Sequence, residues 1–268
     1  MIDLGTFADT RIRRYQRHLL LPEIGPAGQE KLARARVLVV GVGGLGSAAC
    51  QYLASSGVGT VGLADGDIVE ISNLPRQVLY TQADLGRLKT EVAAGHLVVQ
   101  NPEVDVLQYP EFVTPANVAE IIAGYDVVID GTDRLDARYV LNDAAVRAGI
   151  PLVHGSVMRF TGQVTVFAPG HGCYRCLYPT PPEDDLPTCA DLGVISPLPG
   201  IIGAMQAIEA MKIITGMGGA LFGRMLVVDA RTWVTYAVKI DPRPDCPACG
   251  GGVEDTGGGV EQDSAQEE

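Results

Sequence analysis

Short apolar runs alternate with stretches whose apolar residues recur every three or four positions. The runs predict buried strands at Arg36–Val40, at Thr60–Ala64, across 104–110, across 125–133 and across 151–157. Between them the helical period predicts helices from a glycine turn to about Ser55, at Leu85–Val99, at Pro115–Ala123 and at Leu135–Ala148. Asn101-Pro102 stops the second of these, because the residue before a proline is pushed out of the helical region. Two shorter helices precede the first strand, with Asp9 or Thr10 capping one and Pro26 early in the other. Strands alternating with helices predict a mostly parallel sheet covered by helices, a Rossmann-like α/β fold.

After about Gly155 the pattern changes. Residues 161–169 alternate apolar and polar, as a half-buried antiparallel strand does. A long proline-rich link covers 173–194, and links of that length in a compact domain are usually functional. Residues 200–216 are apolar on nearly every face and predict a buried helix. Arg224–Asp229 and Trp233–Ile240 predict two more strands, a C-terminal antiparallel extension of the same domain.

The first strand runs into Gly41-x-Gly43-x-x-Gly46. The first glycine permits a tight turn, the second lets backbone approach a ligand, and the third lets helix and strand pack closely. The helix beyond the turn offers free N–H groups to an anion. Asp65, 19 residues after Gly46, ends the second strand where an acid can take ribose hydroxyls. These features read as a nucleotide site. One alternative is a dinucleotide site, that of an NAD-dependent oxidoreductase, and the charges near the turn weigh against it. Arg76 and Lys89 lie beside the phosphate region, and the fourth strand ends in Asp130 and Asp133. A triphosphate attacked at its α-phosphorus needs such cations, and an acid there could hold Mg2+ through oxygen.

Charge narrows the partners. The net charge of −12 argues against nucleic acid, and no run has the length of a membrane span. No signal-peptide pattern opens the chain, so a cytoplasmic protein is expected. Residues 250–268 hold six acids, no bases and six glycines, and read as a disordered acidic tail. Cys173-x-x-Cys176 and Cys246-x-x-Cys249 have the four-thiolate arrangement of a closed structural Zn2+ site, with a redox dithiol as the alternative. Cys50 reads as core. Cys189 stands alone in the proline-rich link, as a nucleophile or as an incidental small residue.

"RYQRHLLLPEIGPAGQEKL", "VLVVGVGGLGSAACQYLASSGVG", D-x-D-x-V-x-x-SNL-x-RQ, "GTD", "CYRC", "TCADLGV" and "CPAC" succeed one another in order. In these motifs the chain resembles the MoeB/ThiF family, the bacterial relatives of ubiquitin-activating enzymes. The resemblance implies a single adenylation domain over 1–249. Its parts would be N-terminal helices at 9–35, a nucleotide-binding part at 36–155, and a carrier-binding and zinc part at 156–249. It implies ATP- and Mg2+-dependent adenylation of the C-terminal glycine carboxylate of a ubiquitin-like sulfur carrier protein. The product would serve molybdopterin, thiamine or thionucleoside synthesis.

Gly41, Gly43, Gly44, Gly46, Asp65, Asp67, Ser72, Asn73 and Arg134 would then belong to the nucleotide site. Arg76 and Lys89 would meet the phosphates, Asp133 the Mg2+, and Cys189 a sulfur-transfer step. Arg17 would reach the site of the other subunit of a homodimer. Cys173, Cys176, Cys246 and Cys249 would hold Zn2+. A cysteine desulfurase or rhodanese-like protein would donate the sulfur, since no rhodanese-like extension follows Gly250. Pro75 and Arg134 depart from the family, which usually has glutamine or histidine at the first position and asparagine at the second. A non-catalytic subunit that only docks a carrier stands as a further alternative.

Overall fold

The computed structural model describes residues 9–181 and 192–250. Strands β1 (Arg36–Val40), β2 (Thr60–Ala64), β3 (Asp105–Tyr109), β4 (Val127–Asp130), β5 (Leu152–Met158), β6 (Thr161–Phe167), β7 (Arg224–Asp229) and β8 (Thr235–Lys239) form one sheet. Its order is β3-β2-β1-β4-β5-β6-β7-β8. Every pairing from β3 across to β5 is parallel, and every pairing from β5 across to β8 is antiparallel. The Rossmann-like sheet with its antiparallel extension is therefore present. The chain reverses direction across the sheet between β1 and β4, the place where open α/β sheets leave a crevice at their carboxyl ends.

Helices α1 (Asp9–Leu19), α2 (Gly25–Arg34), α3 (Gly44–Ser55), α4 (Lys89–Gln100), α5 (Val118–Ile121), α6 (Leu135–Ala148), α7 (Tyr174–Leu177) and α8 (Pro197–Thr215) cover the sheet. No helix among the described residues is long and apolar enough to cross a membrane. Two apolar layers result, one on each face. Leu53, Leu63, Leu97, Ile129 and Ile202 belong to the layer under α3, α4 and α8, and Leu38, Val128, Leu141 and Leu152 to the layer under α6.

Some elements are shorter than their apolar patterns. Residues 85–88 are drawn out of α4 because they pair back on 67–69: Gly86 N–H donates to Val69 O at 2.9 Å and Lys89 N–H to Asp67 O at 3.0 Å. Asn101 ends α4 as predicted, and its buried amide ties the helix to Ala54 O at 2.6 Å and to Tyr15 Oη at 3.0 Å. The Pro115–Ala123 pattern yields only Val118–Ile121. The last strand begins at Thr235, because Trp233 has φ 58° and breaks the extended run.

Strand β6 is more buried than a half-buried strand, since α8 covers it on one side and aromatic rings lie on the other. Helix α8 carries two charges in its apolar length. Glu209 is buried, accepting from Lys212 Nζ at 2.7 Å and from Leu221 N–H at 2.7 Å, so no charge is left unpaired.

Candidate functional site

The glycine turn closes against the ends of three strands. Gly41 N–H donates to Ala64 O at 2.8 Å, and Gly131 N–H to Val40 O at 2.8 Å. Gly41 has φ 83°, and a side chain there would press on Gly131 and Thr132 at 2.9 Å. A side chain on Gly46 would overlap the Gly41 carbonyl, so α3 can start this close to β1 only with glycine at both positions. The first N–H groups of α3 are thus aimed into the crevice end of the sheet.

A cavity of about 280 Å3 opens there. It is lined by Gly41, Gly43, Gly44, Asp65, Asp67, Arg76, Lys89, Asp133 and Arg134, among others. Nine of the expected site residues, contributed by five separate stretches of chain, thus face one volume. Its far wall is apolar, with Val40, Ala64, Val113 and Ala137. Clefts for small molecules combine such a wall with a few placed polar groups.

The charges are ordered by their neighbours. Asp65 accepts from Val42 N–H at 2.7 Å and Asp67 N–H at 2.8 Å, so the carboxylate is oriented by backbone. Burial pushes its pKa up, against the pull of Lys89. Lys89, at the start of α4 and 5% exposed, reaches Asp67 Oδ2 at 2.8 Å. Arg76 is held by Ser72 O at 2.8 Å. The Arg134 guanidinium lies 5.1 Å from the Phe112 ring centre and pairs with Asp136 at 2.6 Å. Asp133 is exposed, without a described hydrogen bond, and one carboxylate beside substrate phosphates suits Mg2+.

Other expected residues sit elsewhere. Gly46 underlies the turn rather than lining the cavity. Asn73 is buried and accepts from Glu70 N–H at 3.1 Å, capping its own short turn, and Ser72 is exposed beside Glu70. Arg17 is exposed on α1 and does not line the cavity. Cys189 and residues 251–268 lie outside the described residues.

Gln77, Phe112, Thr132 and Pro199 also line the cavity; Gln77 and Thr132 lie within the RQ and GTD motifs without an expected role, and Phe112 and Pro199 lie in no motif. Gln77 is 4% exposed and its Oε1 has no hydrogen-bond partner among the described residues. Its place at the end of the D-x-D-x-V-x-x-SNL-x-RQ motif, directly after Arg76, is the signal that could have found it. Asp130, the other acid at the strand end, is not among the residues that line the cavity. It is 1% exposed and paired with His154, whose Nδ1 is 2.7 Å from Asp130 Oδ2.

The four paired cysteines converge around α7, which Cys173 precedes directly. Their Sγ atoms all lie within 4.8 Å of one another. Cys173 and Cys246 are 3.6 Å apart, Cys176 and Cys249 3.4 Å, and Cys173 and Cys176 4.0 Å. Tetrahedral Zn2+ with Zn–S of about 2.3 Å requires S–S edges of roughly 3.8 Å. The cluster fits that metal, and a pairwise dithiol would not bring all four sulfurs together.

A doubly wound sheet, a glycine turn at its switch point and cations around one cavity define a nucleotide-binding α/β protein with a separate thiolate cluster. The ThiF family profile matches residues 15–248, and the chain belongs to that family. It is 47% identical over 247 residues to the SAMP-activating enzyme E1 of Haloferax volcanii, covering 91% of this chain and 92% of that one. It is also 47% identical over 244 residues to the sulfur carrier protein adenylyltransferase of Thermus thermophilus, covering 88% and 90%. Among solved structures, E. coli MccB with MccA-N7isoASN has the same fold, with a TM-score of 0.81 at 24% identity over 92% of this chain and 76% of that one.

Proposed function

We propose that this protein uses ATP to adenylate the C-terminal carboxylate of a ubiquitin-like sulfur carrier protein. The observation that carries the reading is the single cavity in which the glycine turn, Asp65, Arg76, Lys89 and Asp133 meet. The names of its relatives supply the substrate class and leave the oxidoreductase alternative without support. A carboxylate oxygen of the carrier attacks the α-phosphorus, the α–β bridging P–O bond breaks, and pyrophosphate leaves with the electron pair. An acyl-adenylate remains. Arg76 and Lys89 spread the charge that builds on the phosphoryl oxygens. Asp65 orients the ribose, and the apolar wall by Val113 takes the base.

Asp133 would hold Mg2+, which neutralises phosphate charge when bound. The four cysteines would hold a structural Zn2+. In this reading 36–155 form the nucleotide part, and 156–249 the carrier and zinc part. Homodimerisation is supported by the exposed apolar side chains of Ile71 and Val78, which flank the Arg76 segment, and by Arg17 lying free on the surface to complete a partner's site. The sulfur comes from a separate donor, with Cys189 as the candidate relay, and cysteines kept free for zinc agree with a reducing compartment such as the cytoplasm.

The test is exchange of labelled pyrophosphate into ATP by the purified protein. Exchange should require a carrier ending in Gly-Gly and vanish when the last glycine is removed. Exchange that ignores the carrier would overturn the protein-substrate reading. Cys189→Ser should leave this exchange nearly intact and block only thiocarboxylate formation if the cysteine is the relay.

A further inference from the structure

The parallel strands β4 and β5 set Asp130 beside His154 in register. Their side chains are 2% and 4% exposed. No step of the proposed chemistry uses either of them. Yet, beyond the sheet ladder, Asp130 is bonded to the turn that carries Asp133 and to α8. Its Oδ1 accepts from Thr132 N–H at 3.0 Å, and its backbone carbonyl accepts from Gln206 Nε2 on α8 at 2.7 Å. Arg138 donates to Thr132 O at 3.0 Å from the first turns of α6.

Asp130 therefore uses one carboxylate oxygen to hold the turn and the other to receive His154. A carboxylate accepts only, so the imidazole must present its Nδ1–H. Burial lowers the His154 pKa; at Asp130 burial is the largest influence and pushes the pKa up, but His154, the Arg138 charge and the Thr132 N–H together bring it below the ordinary carboxylate value. The stable form is a neutral imidazole donating to an ionised carboxylate.

The other side of His154 is packed. Its ring centre is 5.2 Å from that of Tyr174 and 5.8 Å from that of Phe167. Tyr174 lies between Cys173 and Cys176, and its N–H donates to Asn142 Oδ1 at 2.8 Å. The imidazole thus stands between the four-cysteine lobe and the loaded end of β4. It cannot tilt without leaving either Tyr174 or Asp130.

We propose that His154 is a positioning residue: wedged between Tyr174 and Asp130, it locks the Asp130 carboxylate and thereby the Gly131–Asp133 turn, tying the four-cysteine lobe to the nucleotide site. Without its N–H, Asp130 Oδ2 is buried and unpartnered, and the carboxylate turns to recover a partner at the expense of the Thr132 cap. The consequence for catalysis rests on the adenylation reading. The consequence for the turn does not.

The experiment compares wild type with His154→Phe, which keeps a ring against Tyr174 and removes the donor. His154→Asn serves as the conservative variant, because its amide N–H stands where Nδ1–H stood. Backbone amide exchange across 131–134 is read on the full chain without nucleotide, and kcat and KM for ATP are read from pyrophosphate exchange. In His154→Phe the Thr132 amide should exchange about tenfold faster, the scale of one hydrogen bond to a charged group. The kcat should fall by a similar factor, with KM for ATP little changed. His154→Asn should restore both to within about threefold of wild type.

A merely structural histidine would lower protection everywhere and would not be rescued at Thr132. Wild-type protection at Thr132 in His154→Phe overturns the proposal. So does local loss that His154→Asn leaves unrepaired. Should His154→Phe fail to fold, His154→Asn and Asp130→Asn still decide, since each keeps a donor–acceptor pair between the strands. Both should hold Thr132 at wild-type protection, and loss in either is contrary. If wild type shows no pyrophosphate exchange, the adenylation reading falls while the amide-exchange arm stands.

Discussion

The two halves of the sheet are held in different ways. From β3 to β5 the strands are parallel, covered by helices on both faces, and closed at one end by backbone contacts between glycines. From β6 to β8 they are antiparallel, and β8 is exposed along its whole length. That half reaches the chain end through Cys246 and Cys249, which meet partners 73 residues away. Local steric demands shape the glycine-turn end, whereas the other lobe gathers four cysteines from stretches far apart in sequence.

The largest test of that contrast is removal of the metal ligands. Structural zinc is worth roughly 10–16 kcal/mol of apparent binding energy in small fingers, while a whole domain is stable by about 5–15 kcal/mol. Cys246→Ala, or chelation, should therefore collapse the melting temperature. Limited proteolysis should cut first in the β7–β8 region and later in the β1–β4 region. A metal-free protein with unchanged melting behaviour would show that the cluster is not a structural zinc site.

Next comes the chemistry at the parallel end. Lys89→Ala or Arg76→Ala should slow pyrophosphate exchange by about 10²–10³-fold, the scale of removing one preorganised donor. Asp133→Asn should abolish measurable exchange. None of the three should shift zinc content or the melting temperature as a cysteine variant does. A loss of bound zinc in Asp133→Asn would erase the distinction between the halves.

The legibility of the sequence divides along the same line. The apolar runs of β1, β2 and β4 and the spacing of Gly41, Gly43 and Gly46 are local signals; they predict β1 and β2 residue for residue and the order of elements in the parallel half, with longer bounds for β4, α4 and α5 than the fold has. Residues 85–88 look helical by their own pattern because their tether is to 67–69, which no local pattern reports. Asn73 carries the right motif, yet its side chain serves the Glu70 cap. The cysteine pairs announce a metal, but which strands they join is a property of the tertiary fold. His154 is invisible in the sequence for that reason too. A lone histidine in an apolar run carries no spacing signal, and its meaning comes from the register of β4 on β5.

Within the parallel half, acid should act with opposite sign at the β4–β5 junction and at the glycine-turn end. Burial lowers His154 below its ordinary 6.5, so below that pH the unfolded chain binds the proton more readily than the folded one. The stability contributed by the junction is present above about 6.5 and declines as pH falls, by at most about 1.4 kcal/mol per pH unit. Asp65 is shifted the other way, raised above 3.8 by burial. The folded chain takes up its proton first, and falling pH relieves rather than adds strain there. Urea midpoints measured from pH 7 to 5 should fall for wild type and flatten for His154→Phe. Asp65→Asn should remove the relief and steepen the decline near pH 4 to 5. A wild-type midpoint unchanged from pH 7 to 5 would mean that His154 titrates alike in both states.

The smallest effect belongs to Arg134, where the family resemblance leads one to expect asparagine. Its guanidinium bridges Asp136 and the Phe112 ring at the cavity wall. The ion pair is half exposed, and such pairs contribute about 0–1 kcal/mol. A cation over an exposed ring adds about 0.5–1 kcal/mol. Arg134→Asn should therefore raise KM for ATP about threefold and leave kcat and zinc content unchanged, as loss of uniform binding does. Phe112→Ala should have the larger effect on KM, because it removes the face itself. Steady-state exchange kinetics at varied ATP separate the two parameters. A fall in kcat of about a hundredfold in Arg134→Asn, the scale of losing one preorganised donor, would place the guanidinium at the transferring phosphoryl group instead.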